Sequence, residues 1–203
     1  MEFLLKSPGS PARLGVLPGA FNPPTVAHLA LAEAALQQVD EVVFVLPRTF
    51  PHKEFSGAGF VDRVEMLCAA VEGKARFSVA VADRGLFVEI ARECRDVYGS
   101  EIGIRFLCGR DAAERIVGWD YGSPDAFARM LREFELLVAD RGGSYEPPVE
   151  FNAAIHRLPL SCDVEEVSAT EVRERIARGE RWEHLVPAEI RARVRQVYGS
   201  LRG

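Results

Sequence analysis

Residues 41 to 46 read Glu-Val-Val-Phe-Val-Leu, and this near-continuous apolar run constrains the fold more than any other feature. A strand that is apolar on both sides has to be covered on both sides, which is the situation of a strand inside a parallel sheet. The stretch before it has a different period. Leu29, Ala32, Leu36 and Val39 recur at helical spacing over Val26–Val39, with Glu33 and Gln37 outside the stripe. The same alternation continues along the chain. Extended segments are expected at Leu14–Leu17, Phe77–Val81, Ile102–Leu107, Glu135–Ala139 and Ile155–Leu160. Helices are expected at Phe60–Val71, Leu86–Tyr98 and Asp111–Val117, from Ser123-Pro124 to about Arg132, and at Ser168–Arg178 and Pro187–Tyr198. The Gly/Ser/Pro-rich stretch Arg141–Pro148 reads as loop, as does the leader Ser7–Pro11. Strands alternating with helices specify an α/β class: a Rossmann-like doubly wound parallel sheet, here over residues 12–165, with a small C-terminal helical extension over 166–203. The length of 203 residues fits one domain, 1–203.

The formal charge of −5 excludes the basic excess of a general nucleic-acid or membrane-surface binder, so neither partner is expected. An anionic ligand has to be attracted by a local site. The four cysteines, Cys68, Cys94, Cys108 and Cys162, are scattered and form no CxxC pair. Buried free thiols and a reducing compartment are the expectation, with no zinc site. The N-terminal apolar run, Phe3-Leu4-Leu5, is too short for a signal peptide or a membrane span. A cytoplasmic location follows by elimination.

The segment Gly19-Ala20-Phe21-Asn22-Pro23-Pro24-Thr25-Val26-Ala27-His28 joins the first expected strand to the first expected helix. Gly19 can adopt backbone angles closed to other residues and lets an anion approach the main chain. Asn22-Pro23-Pro24 stiffens the loop. Thr25 stands at the helix N-cap, where free backbone N–H groups and the helix dipole attract negative charge. His28 follows one turn on, so its ring can face the same anion. The competing reading is a plain strand–turn–helix, with Thr25 a cap and His28 solvated. Near the other end, Val167-Ser168-Ala169-Thr170-Glu171-Val172-Arg173 offers a second helix start, with Arg173 one turn in. Ser168 with Glu171 also reads as an ordinary capping box, and both readings can hold together.

The first segment resembles the Thr-x-x-His form of the nucleotidyltransferase superfamily signature, with Ala27 where the family commonly has Gly. Gly-x-Phe-Asn-Pro-x-Thr-x-x-His is most like the nicotinate/nicotinamide mononucleotide adenylyltransferases. Phe50-Pro51-His52-Lys53 resembles their Pro-His-Lys segment, and Val167–Arg173 their Ile-Ser-Ser-Thr-x-Ile-Arg signature, with Ala169 for the second serine. Cys108-Gly109-Arg110-Asp111 resembles a Gly-x-Asp step, with Arg110 where a small residue is usual. The resemblance spans about Leu14 to Tyr198. It implies catalytic roles for His28, Thr25, Lys53 and Arg173, and nucleotide contacts from Gly19, Ala20, Phe21, Asn22, Gly109, Asp111, Ser168 and Thr170. It places Trp119 and Arg141 at the acceptor, although a tryptophan at a helix end is as often packing. Where nicotinate enzymes have Ser-Tyr-Thr opening a helix, this chain has Asp83-Arg84-Gly85-Leu86-Phe87.

The reaction so implied is adenylyl transfer from ATP to a phosphorylated acceptor, nicotinate or nicotinamide mononucleotide, releasing pyrophosphate in NAD biosynthesis. Mg²⁺ is expected on the nucleotide phosphates and water, with no protein metal ligands. A homo-oligomer is compatible with the sequence. Cytidylyl transfer from CTP shares the end motifs, and a non-catalytic nucleotide-binding module is the alternative from another class. A P-loop enzyme is disfavoured because Gly-x-x-x-x-Gly-Lys-(Ser/Thr) does not occur, and Gly57-Ala58-Gly59 completes no dinucleotide fingerprint.

Overall fold

The computed structural model describes residues 1–49, 57–123, 125–140, 145–160 and 167–200. Seven strands form one sheet: β1 (Glu2–Leu5), β2 (Arg13–Pro18), β3 (Glu41–Pro47), β4 (Phe77–Ala82), β5 (Gly103–Gly109), β6 (Glu135–Ala139) and β7 (Ile155–Leu158), in the order β1-β4-β3-β2-β5-β6-β7. All neighbours from β4 to β7 are parallel, and β1 alone is antiparallel, on the edge beside β4. From β2 the chain steps outward through β3 to β4, then returns to lay β5 on the other side of β2. That reversal makes a crevice beyond the carboxyl ends of β2 and β5, where ligands of doubly wound sheets bind.

The helices are α1 (Val26–Ala35), α2 (Phe60–Val71), α3 (Phe87–Tyr98), α4 (Arg110–Val117), α5 (Ala126–Met130), α6 (Ala169–Arg178) and α7 (Arg191–Gly199). Because successive strand residues face opposite ways, β3 supplies two cores. Val43 and Val45 join Ile90, Ala91, Cys94, Ala113 and Phe127 of α3 to α5. Val42, Phe44 and Leu46 join Leu29, Leu31, Ala32 and Leu67 of α1 and α2. The run at 41–46 is wholly buried, as a doubly covered strand must be. A third cluster packs Val172, Ile176, Trp182, Val194 and Tyr198 against Ala27, Met66 and Ala70, so α6 and α7 lie over α1 and α2.

Strand β1, which no sequence pattern marks, is held by Phe3 packing edge-on to Tyr98, whose hydroxyl, like Ser78 Oγ, donates to Glu41 at 2.6 Å. Three expectations need correction. Helix α1 stops at Ala35, and Val39 reaches the core from beyond the turn that follows. The segment after Ser123 is helical only over Ala126–Met130, and α7 begins at Arg191, after a 3₁₀ turn at Ala188–Ile190. Among the described residues no helix is long and apolar enough to cross a membrane.

Candidate active site

The loop between β2 and α1 is fixed from several sides. Gly19 N–H donates to Val45 O at 3.0 Å, and a Cβ on Gly19 would stand 3.0 Å from the ring of Phe21. Gly19 is needed for that close approach and not for special backbone angles: the left-handed angle falls on Phe21 (φ 46°). The Phe21 ring is buried, 5.9 Å from Phe44 and 5.2 Å edge-on from His28. The carbonyl of Ala20 accepts from Arg63 Nη1 at 3.0 Å, and that of Asn22 from Arg173 Nη1 at 2.6 Å. The Asn22 side-chain oxygen accepts from Tyr198 OH and from Ala58 N–H, at 2.5 and 3.2 Å. Gly57, at φ 109°, leaves room for this, since a Cβ there would meet Asn22 Oδ1 at 3.0 Å.

Thr25 is the N-cap of α1, and His28 stands where a Glu or Gln closes a conventional capping box. His28 Nδ1 lies 3.0 Å from the Thr25 amide nitrogen and 2.7 Å from Thr25 Oγ1. The amide can only donate, so Nδ1 is the acceptor and the proton of the neutral ring sits on Nε2. The cap therefore orients the ring and sets its tautomer, with Nε2 carrying the N–H. No acidic residue occupies the first turn of α1, which leaves its N-terminal dipole uncancelled.

Above this helix start opens a cleft of about 880 Å³ at the crevice between β2 and β5. Thr25, His28, Gly109, Trp119 and Ser168 all line it. These residues span 143 positions, counted from Thr25 to Ser168, and the fold brings them together. Gly19, Ala20, Phe21, Asn22, Asp111, Thr170 and Arg173 do not belong to its lining. Ser168 caps α6, its Oγ accepting from Glu171 N–H at 3.1 Å, and Thr170 Oγ1 accepts from Arg173 Nη2 at 3.2 Å. Lys53, Arg141 and Cys162 lie outside the described residues.

Sequence reasoning missed much of the wall. Leu86 and Phe87, in the segment that departs from the family's Ser-Tyr-Thr, line the cleft, with Phe87 stacked on Phe106 at 4.2 Å. Arg115 and Tyr121 line it as well. Arg63 was missed although its position carries a signal: it belongs to the buried stripe Arg63, Met66, Leu67, Ala70, Val71 of α2. Burial pulls its guanidinium below the usual arginine value. Burial pushes the thiol of Cys108, on the cleft floor, up to about 12, which keeps it protonated and unreactive at neutral pH.

Comparison with known proteins agrees with this architecture. The model of the cytidylyltransferase-like family matches residues 16–175. Probable nicotinate-nucleotide adenylyltransferases from Exiguobacterium sibiricum and Rubrobacter xylanophilus are similar to the chain, at 30% identity over 187 residues and 32% over 198. Each alignment covers 88% of this chain, and 94% and 87% of the respective relative. Among solved structures, Plasmodium falciparum nicotinic acid mononucleotide adenylyltransferase complexed with NaAD has a TM-score of 0.63 at 14% identity, covering 83% of this chain and 86% of that one. The same enzyme complexed with APC has a TM-score of 0.69 at 14% identity, covering 93% and 98%, a likeness of fold. With the family matched across most of its length and relatives at this identity over nearly all of it, the chain belongs to the cytidylyltransferase-like family of nucleotidyltransferases.

Proposed function

We propose that the protein is a nicotinate-nucleotide adenylyltransferase, transferring AMP from ATP to nicotinate mononucleotide with release of pyrophosphate. The observation that carries this reading is the His28 ring, locked through Nδ1 by the Thr25 cap in the lining of a cleft that also contains Trp119. An acceptor phosphate oxygen attacks the α-phosphorus of ATP, and the bond from that phosphorus to the bridging oxygen of pyrophosphate breaks. The attacking phosphate is already ionised, so the protein positions groups and stabilises charge without a general base. His28 Nε2–H and the α1 N-terminus hold the α-phosphate. The Ser168-capped start of α6, Arg173 and Lys53 take the β- and γ-phosphates, and the C-terminal helices thereby complete the ATP site. The resemblance assigns Gly109 and Asp111 to the nucleoside and Arg141 to the acceptor.

Magnesium carried by the triphosphate would neutralise charge on the leaving pyrophosphate. The described lining offers one carboxylate, Glu114, which is paired with Arg110 at 3.2 Å. That donor set fits a metal held by phosphate oxygens and water. ATP, Mg²⁺ and nicotinate mononucleotide should give pyrophosphate and a dinucleotide at equal rates. Folded protein that forms neither with nicotinate or nicotinamide mononucleotide, or that accepts only CTP, refutes the assignment.

Trp119 is 54% exposed while lining the cleft, which favours a stacking wall over a core residue. Trp119→Ala should raise the acceptor KM about fivefold, the loss of roughly 1 kcal/mol of ring stacking. The ATP KM and the melting temperature should hardly move. A core residue would instead cost about 3–5 kcal/mol of stability, and a large drop in melting temperature would show it.

A further inference from the structure

We infer that Arg115 selects the acceptor by reading the carboxylate on its ring. The inference rests on the proposed function and adds to it the residue that tells nicotinate from nicotinamide. Among the described residues of the cleft, Arg115 is the one cation left without a carboxylate. Its neighbour Glu114 is paired with Arg110 at 3.2 Å, and His28 is engaged through Nδ1. Arg115 Nε donates to the Asp111 carbonyl at 3.1 Å, one turn back along α4. This bond fixes the stem of the side chain, and among the described residues Nη1 and Nη2 have no hydrogen bond or ion pair. Two parallel N–H donors on a planar fork match a carboxylate.

Position decides which anion they meet. The acceptor phosphate has to reach the α-phosphorus, beside His28 and Thr25. Arg115 lies instead on α4, four residues before Trp119, the proposed stacking wall, and both line the same cleft. Of the described residues around it, Leu86, Phe87, Ile116 and Tyr121 carry no charge, and Glu114 is paired with Arg110. A ring carboxylate stacked there would meet this charged fork, to which a neutral carboxamide offers no charge.

Steady-state rates with ATP and each of the two mononucleotides, for wild type, Arg115→Gln and Arg115→Lys, test this. Wild type should prefer nicotinate mononucleotide in kcat/KM. Arg115→Gln should lose roughly tenfold of that preference, the scale of one charge-assisted hydrogen bond, through a higher KM for the nicotinate substrate alone. Arg115→Lys should keep most of it, with the ATP KM unchanged in both variants. An unchanged ratio in Arg115→Gln, an equal loss with both acceptors, or a wild type that prefers nicotinamide mononucleotide overturns the inference while leaving the transferase reading standing. Wild type inert with both acceptors overturns the proposed function and this inference with it. Melting temperatures within a degree or so of wild type are expected, because Arg115 is exposed on its helix.

Discussion

His28→Ala should lower kcat by about 10²-fold or more, a loss of the order of 3 kcal/mol, as when one preorganised donor to developing charge is removed. The donor in question is Nε2–H, and its preorganisation has a visible cause. Nδ1 is held 3.0 Å from the Thr25 amide, so the ring needs no rearrangement to present Nε2. The same bond means that alanine also deletes a helix-capping contact, worth about 1 kcal/mol. The two losses separate with His28→Asn, whose side-chain oxygen can accept from the Thr25 N–H but which has nothing in place of Nε2. Stability should recover in the asparagine variant and turnover should not. Wild-type turnover in a folded His28→Asn protein would show that His28 is a cap alone and would remove it from the mechanism.

What the sequence made legible has a common physical basis. The parallel sheet, its two covered faces and the Thr25–His28 helix start rest on short-range patterns: apolar runs, helical spacing, a capping residue three positions from its partner. Each of these can be read within about ten residues. Strand β1 could not, since four residues with one exposed position form a strand only because β4, Glu41 and Tyr98 accept them. The role of Gly19 was misread for a related reason, its space being claimed by the ring of Phe21 and the left-handed angle falling two residues later. Arg63 and Tyr198 act on the loop from 43 and 176 positions away. No local pattern encodes such partners, although a charged residue inside the buried stripe of α2 was a legible anomaly. The apolar wall at Leu86 and Phe87 was noticed as a departure from resemblance, and its meaning depended on seeing Phe87 stack on Phe106 under the cleft.

Asn22→Ala should destabilise the protein by about 2–4 kcal/mol, because it strips the shared acceptor from two buried donors, each costing roughly 1–3 kcal/mol when unsatisfied. Those donors are the hydroxyl of Tyr198 and the amide of Ala58, in residues 4% and 5% exposed. Tyr198→Phe is the milder comparison: it removes one donor and leaves Asn22 Oδ1 bonded to Ala58, so about 1 kcal/mol is expected. If the Tyr198–Asn22 bond ties α7 to the loop, the two changes should not add. The double variant should then be more stable than the sum of the singles implies, by roughly 0.5 kcal/mol or more. Burial pushes the Tyr198 phenol above its ordinary value. A raised folded value means that the contribution is complete below the unfolded phenol value of about 10 and is lost as pH rises through the folded one. Denaturant unfolding of the four proteins should therefore give the same coupling anywhere near neutral pH. Activity supplies the functional half of the test, since a loosened loop misplaces the start of α1 and with it His28. Asn22→Ala should lower kcat more than it raises the acceptor KM, and Tyr198→Phe should shift both in the same sense but less. Additive stabilities, or full turnover in Asn22→Ala, would mean that the C-terminal helix covers the loop without positioning it.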